Sequence, residues 1–359
     1  MRHIGKLACI GMVAAAASAA TASASSVNPW SIGVVSLGNI GSAANPYTAD
    51  FQGNAAAVGN AYFTSFSLDS GSGANPSGGY SYYGGGTFSL TNGRVFSGGV
   101  QTSGDVTLTS ASIDGNLNSG GSLFGSDAQV NGNAVLGGTN QSPANTGVTV
   151  TSPGTTTTHQ AYNPSFNVSS LTSYFESASS TYNQASDASY TNQYGAATID
   201  ITGLSSGTHY VSISGNVLAG DYGVTVKGNA DQTLIVNVTP SNTGSVSLNG
   251  LAFTYADGIS QANVLVNTQA TSLTLSSGNS SGKGYDLLAP YATTTFASGS
   301  FYGELVVGSL AGGGEQDGGP SFAPPEAIVT PEPAPIGLLA VGAIGMLMLG
   351  KRRGKNRVA

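Results

Sequence analysis

Phe96-Ser97-Gly98-Gly99-Val100, Ile113-Asp114-Gly115-Asn116-Leu117 and Val130-Asn131-Gly132-Asn133-Ala134 follow one another at a spacing of 17 and share one pattern: apolar, polar, Gly, small polar, apolar. The pattern returns at Phe51-Gln52-Gly53-Asn54-Ala55, Ile213-Ser214-Gly215-Asn216-Val217, Val226-Lys227-Gly228-Asn229-Ala230 and Phe301-Tyr302-Gly303-Glu304-Leu305. Such a register predicts a coil of short strands. One apolar residue points inward, Gly takes a corner conformation closed to residues with a Cβ, and the next apolar residue resumes the inner face. Val106-Thr107-Leu108, Leu234-Ile235-Val236-Asn237-Val238, Val246-Ser247-Leu248 and Leu273-Thr274-Leu275 alternate strictly, as half-buried strands do. The expectation is a mainly β chain wound as a right-handed parallel β-helix, a solenoid that pairs each coil with its neighbours and needs covers at its ends. A β-sandwich with Gly-rich hairpins is the competing architecture.

Composition agrees with a β-rich body. Of 359 residues 53 are Gly, and charged side chains make up 8% of the chain against about 25% in ordinary soluble domains, too few for helices laced with ion pairs. Sixteen of the 17 Asp and Glu lie between Ser25 and Thr330, with only Arg94, Lys227 and Lys283 against them. A body this acidic repels nucleic acid, whose binding depends on cations that neutralise phosphates; it suits a solvated exported surface or one that gathers cations.

One stretch departs from the strand period. Val168, Leu171, Tyr174, Phe175, Ala178, Tyr182 and Ala185 recur three or four apart, which predicts one long α-helix over about 168–187, flanking the coil and covering an apolar side of it. Ser173 and Glu176 offer a capping box.

Both ends read as addresses. Arg2 and Lys6, an apolar run from Leu7, and Ala22-Ser23-Ala24 form a secretory signal over 1–24, with cleavage between Ala24 and Ser25. Loss of the signal removes Cys9 and leaves no thiol, so disulfides do not stabilise the body. At the other end a Gly- and Pro-rich linker, 316–330, leads to Pro331-Glu332-Pro333, an uncharged run over 334–350 and Lys351-Arg352-Arg353. Seventeen residues reach roughly 26 Å as a helix, the lower limit for a transmembrane span, and the basic cluster is expected to stay in the cytoplasm. This tail, 331–359, resembles the PEP-CTERM sorting signal. The resemblance implies an exosortase-type processing enzyme as partner, membrane attachment through the C-terminal helix before processing, and a final place at the cell surface, in the outer membrane or outside the cell.

The body, 25–315, resembles the choice-of-anchor A domain. The likeness rests on the Gly-Asn-rich first half, the helix, and the closing Leu287-Leu288-Ala289-Pro290-Tyr291-Ala292 and Gly303-Glu304-Leu305-Val306-Val307-Gly308-Ser309-Leu310. A coil interrupted by one long helix is more distantly similar to the right-handed β-helix of bacterial ice-binding proteins.

Residues that could carry chemistry are few. His159 and His209 stand alone, no nucleophile has an evident base, and without cysteine a zinc or iron site is not expected. The oxygen-rich stretches Ser122 to Asp127 and Gly312 to Asp317 are candidates for Ca2+. Tyr80, Tyr82 and Tyr83 could stack on sugar rings. Thr107, Thr109, Thr225, Thr274 and Thr293 to Thr295 occur at no single interval, as an ice-binding face would require, and a polysaccharide lyase would have only Arg94, Lys227 or Lys283 as its base. The reading that follows is a non-enzymatic structural or adhesive protein that touches exopolysaccharide or a neighbouring surface protein and takes no resident cofactor. An ice-binding β-helix is the first alternative and a polysaccharide lyase the second.

Overall fold

The computed structural model describes residues 27–71, 79–143, 146–151, 153–219, 223–276 and 282–325. The signal segment 1–24, the Ala24–Ser25 junction, Pro331, Glu332, Pro333, the span 334–350 and Lys351, Arg352 and Arg353 lie outside these residues. Among the described residues no helix is long and apolar enough to cross a membrane.

The chain is mainly β, and nearly all its strand pairs are parallel, which excludes a sandwich of hairpins; the antiparallel pair is Tyr190–Gln193 with Ala196–Asp200. Each coil of the first half visits three faces in turn. The strands Gly99–Thr102, Leu117–Ser119 and Ala134–Leu136 stack on the first face, Phe88–Thr91, Val106–Thr109 and Leu123–Ser126 on the second, and Arg94–Val95, Ser112–Ile113 and Ala128–Val130 on the third. Val100, Leu117 and Ala134 are successive partners, as are Val106 and Leu123, and Ile113 and Val130, each step being 17 residues. All of these point into the core.

Three details of the expected repeat are corrected. Ile113 pairs with Val95 and not with Phe96, so Val95 holds the inner position while Phe96 lies half-exposed one residue beyond it. The extra residue is absorbed at Ser97, whose φ is 59°. The corner glycines are also selected for a different reason than φ. Gly115 and Gly132 lie outside the left-handed region, but a Cβ on Gly115 would stand 2.5 Å from the carbonyl carbon of Gly98, and one on Gly132 would stand 2.7 Å from that of Gly115. Corners stacked this closely admit only Gly. The Asn that follows forms its own ladder: Asn116 Oδ1 accepts from Asn133 N at 2.9 Å, and Asn133 Oδ1 from Thr155 N at 3.0 Å. Ile213 does not belong to the repeat, because its Gly215 opens a helical turn, Gly215–Leu218.

The coils are not stacked in chain order. Val34–Ser36 pairs with Ala55–Ala57 on one side and with Leu305–Val307 on the other. The first half therefore winds outward from the middle of the stack to Thr156–Thr157. The second half begins at the far end with Gly207–Ser214 and winds back through Gln232–Thr239, Val264–Thr268 and Asp286–Phe296 to close against the first coil. The helix α1, Leu171–Tyr182, makes the return journey along the outside of the first face.

An apolar stripe holds α1 there. Leu171, Phe175, Ala178 and Tyr182 bury against the outward side chains of the first face, Val35, Ala56, Leu288 and Val306 among them. Trp30 lies edge-on to Phe175 with centroids 5.0 Å apart. Helical structure begins at the expected Val168 and ends at Tyr182, five residues before the sequence period predicts. A 3-10 turn, Val168–Ser170, leads into α1, and Asn167 caps that turn through Oδ1 from Ser169 N, so the Ser173–Glu176 capping box does not form. Residues 183–187 leave the helix because Ser186 Oγ and Asp187 Oδ1 accept from Ser212 N and Tyr210 N of the first strand of the second half, and Ala185 is exposed. Of the expected linker, residues 316–325 pack on the body: Gln316 pairs in a short ladder with Phe301, and Phe322 is buried against Trp30.

Candidate functional site

With the first face covered by α1 and the segment before it, the second and third faces are what the molecule presents. Strand alternation decides their chemistry, since each inward apolar residue leaves its neighbour outside. On the second face Thr64, Thr91, Thr109 and Ser126 are successive register partners, and Tyr62, Ser89, Thr107 and Phe124 form the parallel row two residues earlier. The face continues into the second half, where Ser245, Ser272, Thr293 and Ser309 form one row and Ser247, Thr274, Thr295 and Ala311 another. All sixteen side chains are uncharged and at least partly exposed. Rows one strand apart and positions two residues apart give a grid of roughly 4.8 by 6.7 Å, hydroxyl-bearing at every position but Phe124 and Ala311. The third face carries a further row, Thr191, Thr198, Thr225 and Thr254.

Threonines that show no interval along the chain are thus brought into register through space. Thr107, Thr109, Thr274, Thr293 and Thr295 share the second face, whereas Thr294 points inward and is buried, and Thr225 belongs to the third face.

The tyrosine cluster is placed differently from the expectation. Tyr82 lies in the core, 4.7 Å from the Phe88 ring, and Tyr83 lies beneath the segment before α1, 5.3 Å from Phe166. Both are fully buried, and Tyr80 is half-buried beside Tyr83. Burial, with the neighbouring Tyr80 adding to it, pushes the Tyr83 phenol up to about 12. No sugar ring can stack on Tyr82 or Tyr83.

His209 is engaged in holding the fold. Its Nδ1 lies 2.8 Å from Asp187 Oδ2 and its Nε2 2.8 Å from the Ser205 carbonyl. Burial alone would lower its pKa, but the bonds to Ser205 and Asp187 outweigh it and the net shift is upward. His159 is exposed in a loop, against Thr158. Arg94 forms an ion pair with Asp114 at 2.6 Å and lies 4.4 Å above the Phe96 ring. Lys227 belongs to a strand of another sheet, and Lys283 is exposed in a turn. The three cations are therefore not brought together.

At the calcium candidates, Leu123–Ser126 is a strand of the second face and Asp127 follows it in the left-handed region, φ 50°. Gln52 Nε2 donates to Glu315 Oε1 at 3.4 Å and to Asp317 Oδ1 at 3.3 Å. Burial and the charges of Asp317 and Asp50 raise the Glu315 carboxyl. Among the described residues no three His, Cys, Asp or Glu gather as a metal site.

A family model described as Putative Ice-binding-like adhesive domain matches residues 33–318, from the coil that opens the stack to the end of the short Glu315–Gln316 ladder. The chain belongs to this family. No curated protein and no solved structure matches the chain. The ice-binding-like adhesive domain accounts for the whole coil and α1, and it agrees with a surface adhesive. In this domain α1 covers the first face and leaves the second and third uncovered.

Proposed function

We propose that the chain is an exported surface adhesive of right-handed coil whose second face grips a polyhydroxylated partner, an exopolysaccharide or a neighbouring surface protein. The observation that carries this reading is the hydroxyl grid: side chains that can donate and accept, set on a rigid backbone, with no net charge of their own on an otherwise acidic body. A sheet surface of this kind loses little side-chain entropy when it binds, because β-branched Thr is already confined at χ1. The adhesive takes no cofactor and performs no reaction. Its delivery rests on the resemblance of its tail to PEP-CTERM, with an exosortase-type enzyme acting near Pro331 to Pro333, and its body is of the choice-of-anchor A kind.

The test is retention on immobilised glycans. Saturable retention of the native chain, lost when Thr107 and Thr295 are both changed to Lys, supports the reading; retention that survives both changes moves the binding surface elsewhere.

A second reading, ice binding, is favoured by one observation: Thr191, Thr198, Thr225 and Thr254 stand in a single row, one strand apart. Thermal hysteresis abolished by Thr225→Lys would support it, and its absence in the native chain removes it.

A further inference from the structure

Two carboxyl groups inside the protein have no role in adhesion. Asp286 and Glu304 stand one residue before the Leu287–Leu305 pair of adjacent strands, and Glu304 N donates to Asp286 Oδ1 at 2.7 Å. Both side chains are buried, and Asp286 Oδ2 and Glu304 Oε1 have no hydrogen-bond partner. The other oxygens are held by donors. Gln261 Nε2 approaches Asp286 Oδ1 at 3.5 Å, while Phe322 N donates to Glu304 Oε2 at 3.2 Å and Ser321 supplies a further bond to Glu304. The titratable groups facing them from other elements are phenols: Tyr174 of α1 toward Glu304 and Tyr255 of Phe253–Ala256 toward Asp286. Among the described residues no basic group acts on either carboxyl.

Two bare charges cannot persist side by side in such a place without compensation. A divalent cation would need six or more oxygen ligands, and the surroundings are mostly N–H donors. One proton on the pair leaves a single charge there, a state the surrounding N–H donors can support. We propose that the buried Asp286–Glu304 pair holds a proton and so forms a latch on the strap Ser321–Ala323, closed while the proton is held and released when a solvent base removes it. Burial first, and then the charge of Asp286, raise Glu304, and burial likewise raises Asp286. Their contribution is therefore present at low pH and lost as pH rises through the raised values. The strap leads toward the C-terminal tail, so its release lengthens the tether between body and tail. This inference does not depend on the adhesive reading.

The reporter is built in. Trp30, the chain's single tryptophan, lies 5.2 Å from the Phe322 ring. In the full chain, Trp30 emission and the hydrogen-exchange protection of residues 317–325, corrected for intrinsic rate, are followed from about pH 6 to about pH 9.5. The expected result is a red shift and an at least tenfold loss of strap protection, while α1 stays protected. Glu304→Gln keeps an acceptor for Phe322 N and removes one of the two titrating groups, so its strap stays protected throughout; Asp286→Asn serves as the second variant and behaves likewise. Constant protection in the wild type, or the same loss in both variants, overturns the latch. So does recovery of the wild-type strap at high pH on adding millimolar calcium, which would assign the pair to a cation.

Discussion

Asn267 donates through Nδ2 to Asn237 Oδ1 at 2.8 Å, and the two amides together hold the end of α1: Asn237 Nδ2 reaches the Tyr182 carbonyl at 2.9 Å and Asn267 Nδ2 the Ser179 carbonyl at 3.1 Å. Ser179 Oγ completes the set by donating to Asn267 Oδ1 at 2.7 Å. The last carbonyls of a helix are short of intrahelical partners; here Asn183 N and Gln184 N reach the Ser179 and Tyr182 carbonyls, and two coils of the solenoid add a second donor to each. Asn267→Ala takes from the buried Asn237 Oδ1 its donor and from Ser179 Oγ its acceptor and is expected to cost about 1–3 kcal/mol, read as a lower urea midpoint at unchanged slope. A shift smaller than a few tenths would mean water takes over.

Phe175 belongs to the apolar half of the same seam, fully buried between Trp30 and Tyr174. Phe175→Ala should destabilise by about 3–5 kcal/mol and change the emission of Trp30, because the ring beside it is gone. If stability falls and the emission does not move, the placement of Trp30 against the helix is wrong.

The His209–Asp187 pair gives stability a pH dependence. His209 is raised, so its contribution is complete below the ordinary histidine value of about 6.5 and is lost as pH rises through the folded value. Asp187 is lowered: burial alone would raise it, but bonds from Tyr210 N and His209 outweigh that, so its share is lost as pH falls through the lowered value. Asp187→Asn is expected to lose more stability near pH 5.5 than near pH 9, measured by urea unfolding at both. An equal loss at the two values would reduce the pair to an uncharged hydrogen bond.

Gly125 adopts φ 148°, and a Cβ there would stand 1.9 Å from the Leu108 carbonyl oxygen. Gly125→Ala should cost about 1–3 kcal/mol from the backbone alone, with the clash added, and should lower the melting temperature and soluble yield together. A variant as stable as the wild type would show that the coil spacing at this point can relax.

On the second face the expectation is reversed. Thr109→Lys changes an outward side chain and should leave stability within about 0.5 kcal/mol, while weakening retention on a matrix polysaccharide. Normal retention would exclude this row from the contact.

Much of this was legible along the chain, and the misreadings have physical causes. The 17-residue step and the inner positions Ile113, Val130, Leu117 and Ala134 follow from alternation, which is local. Phe96 is misplaced because both the pattern and the 17-residue step select it, while the extra corner residue that gives the inner position to Val95 leaves no mark in either. Ala185 continues the helical period of α1, but Asp187 and Ser186 find better partners on a strand more than twenty residues away. The Thr rows were missed because their members come from different coils with unequal loops between them, so that Thr191, Thr198, Thr225 and Thr254 share no interval. Tyr82 and Tyr83 read along the chain as candidates for stacking on sugar, yet one faces the core and the other lies under the segment before α1.

By itself the sequence determined a parallel coil, its Gly-cornered period, an amphipathic helix and an acidic exterior, because periodicity, propensity and charge are properties of neighbouring residues. Only the tertiary structure decided that the first and last coils meet in the middle of the stack, which face the helix covers, and hence which hydroxyl rows stay exposed. Those outcomes depend on which distant strands pair, and parallel pairing carries no signal in either strand until both are in place.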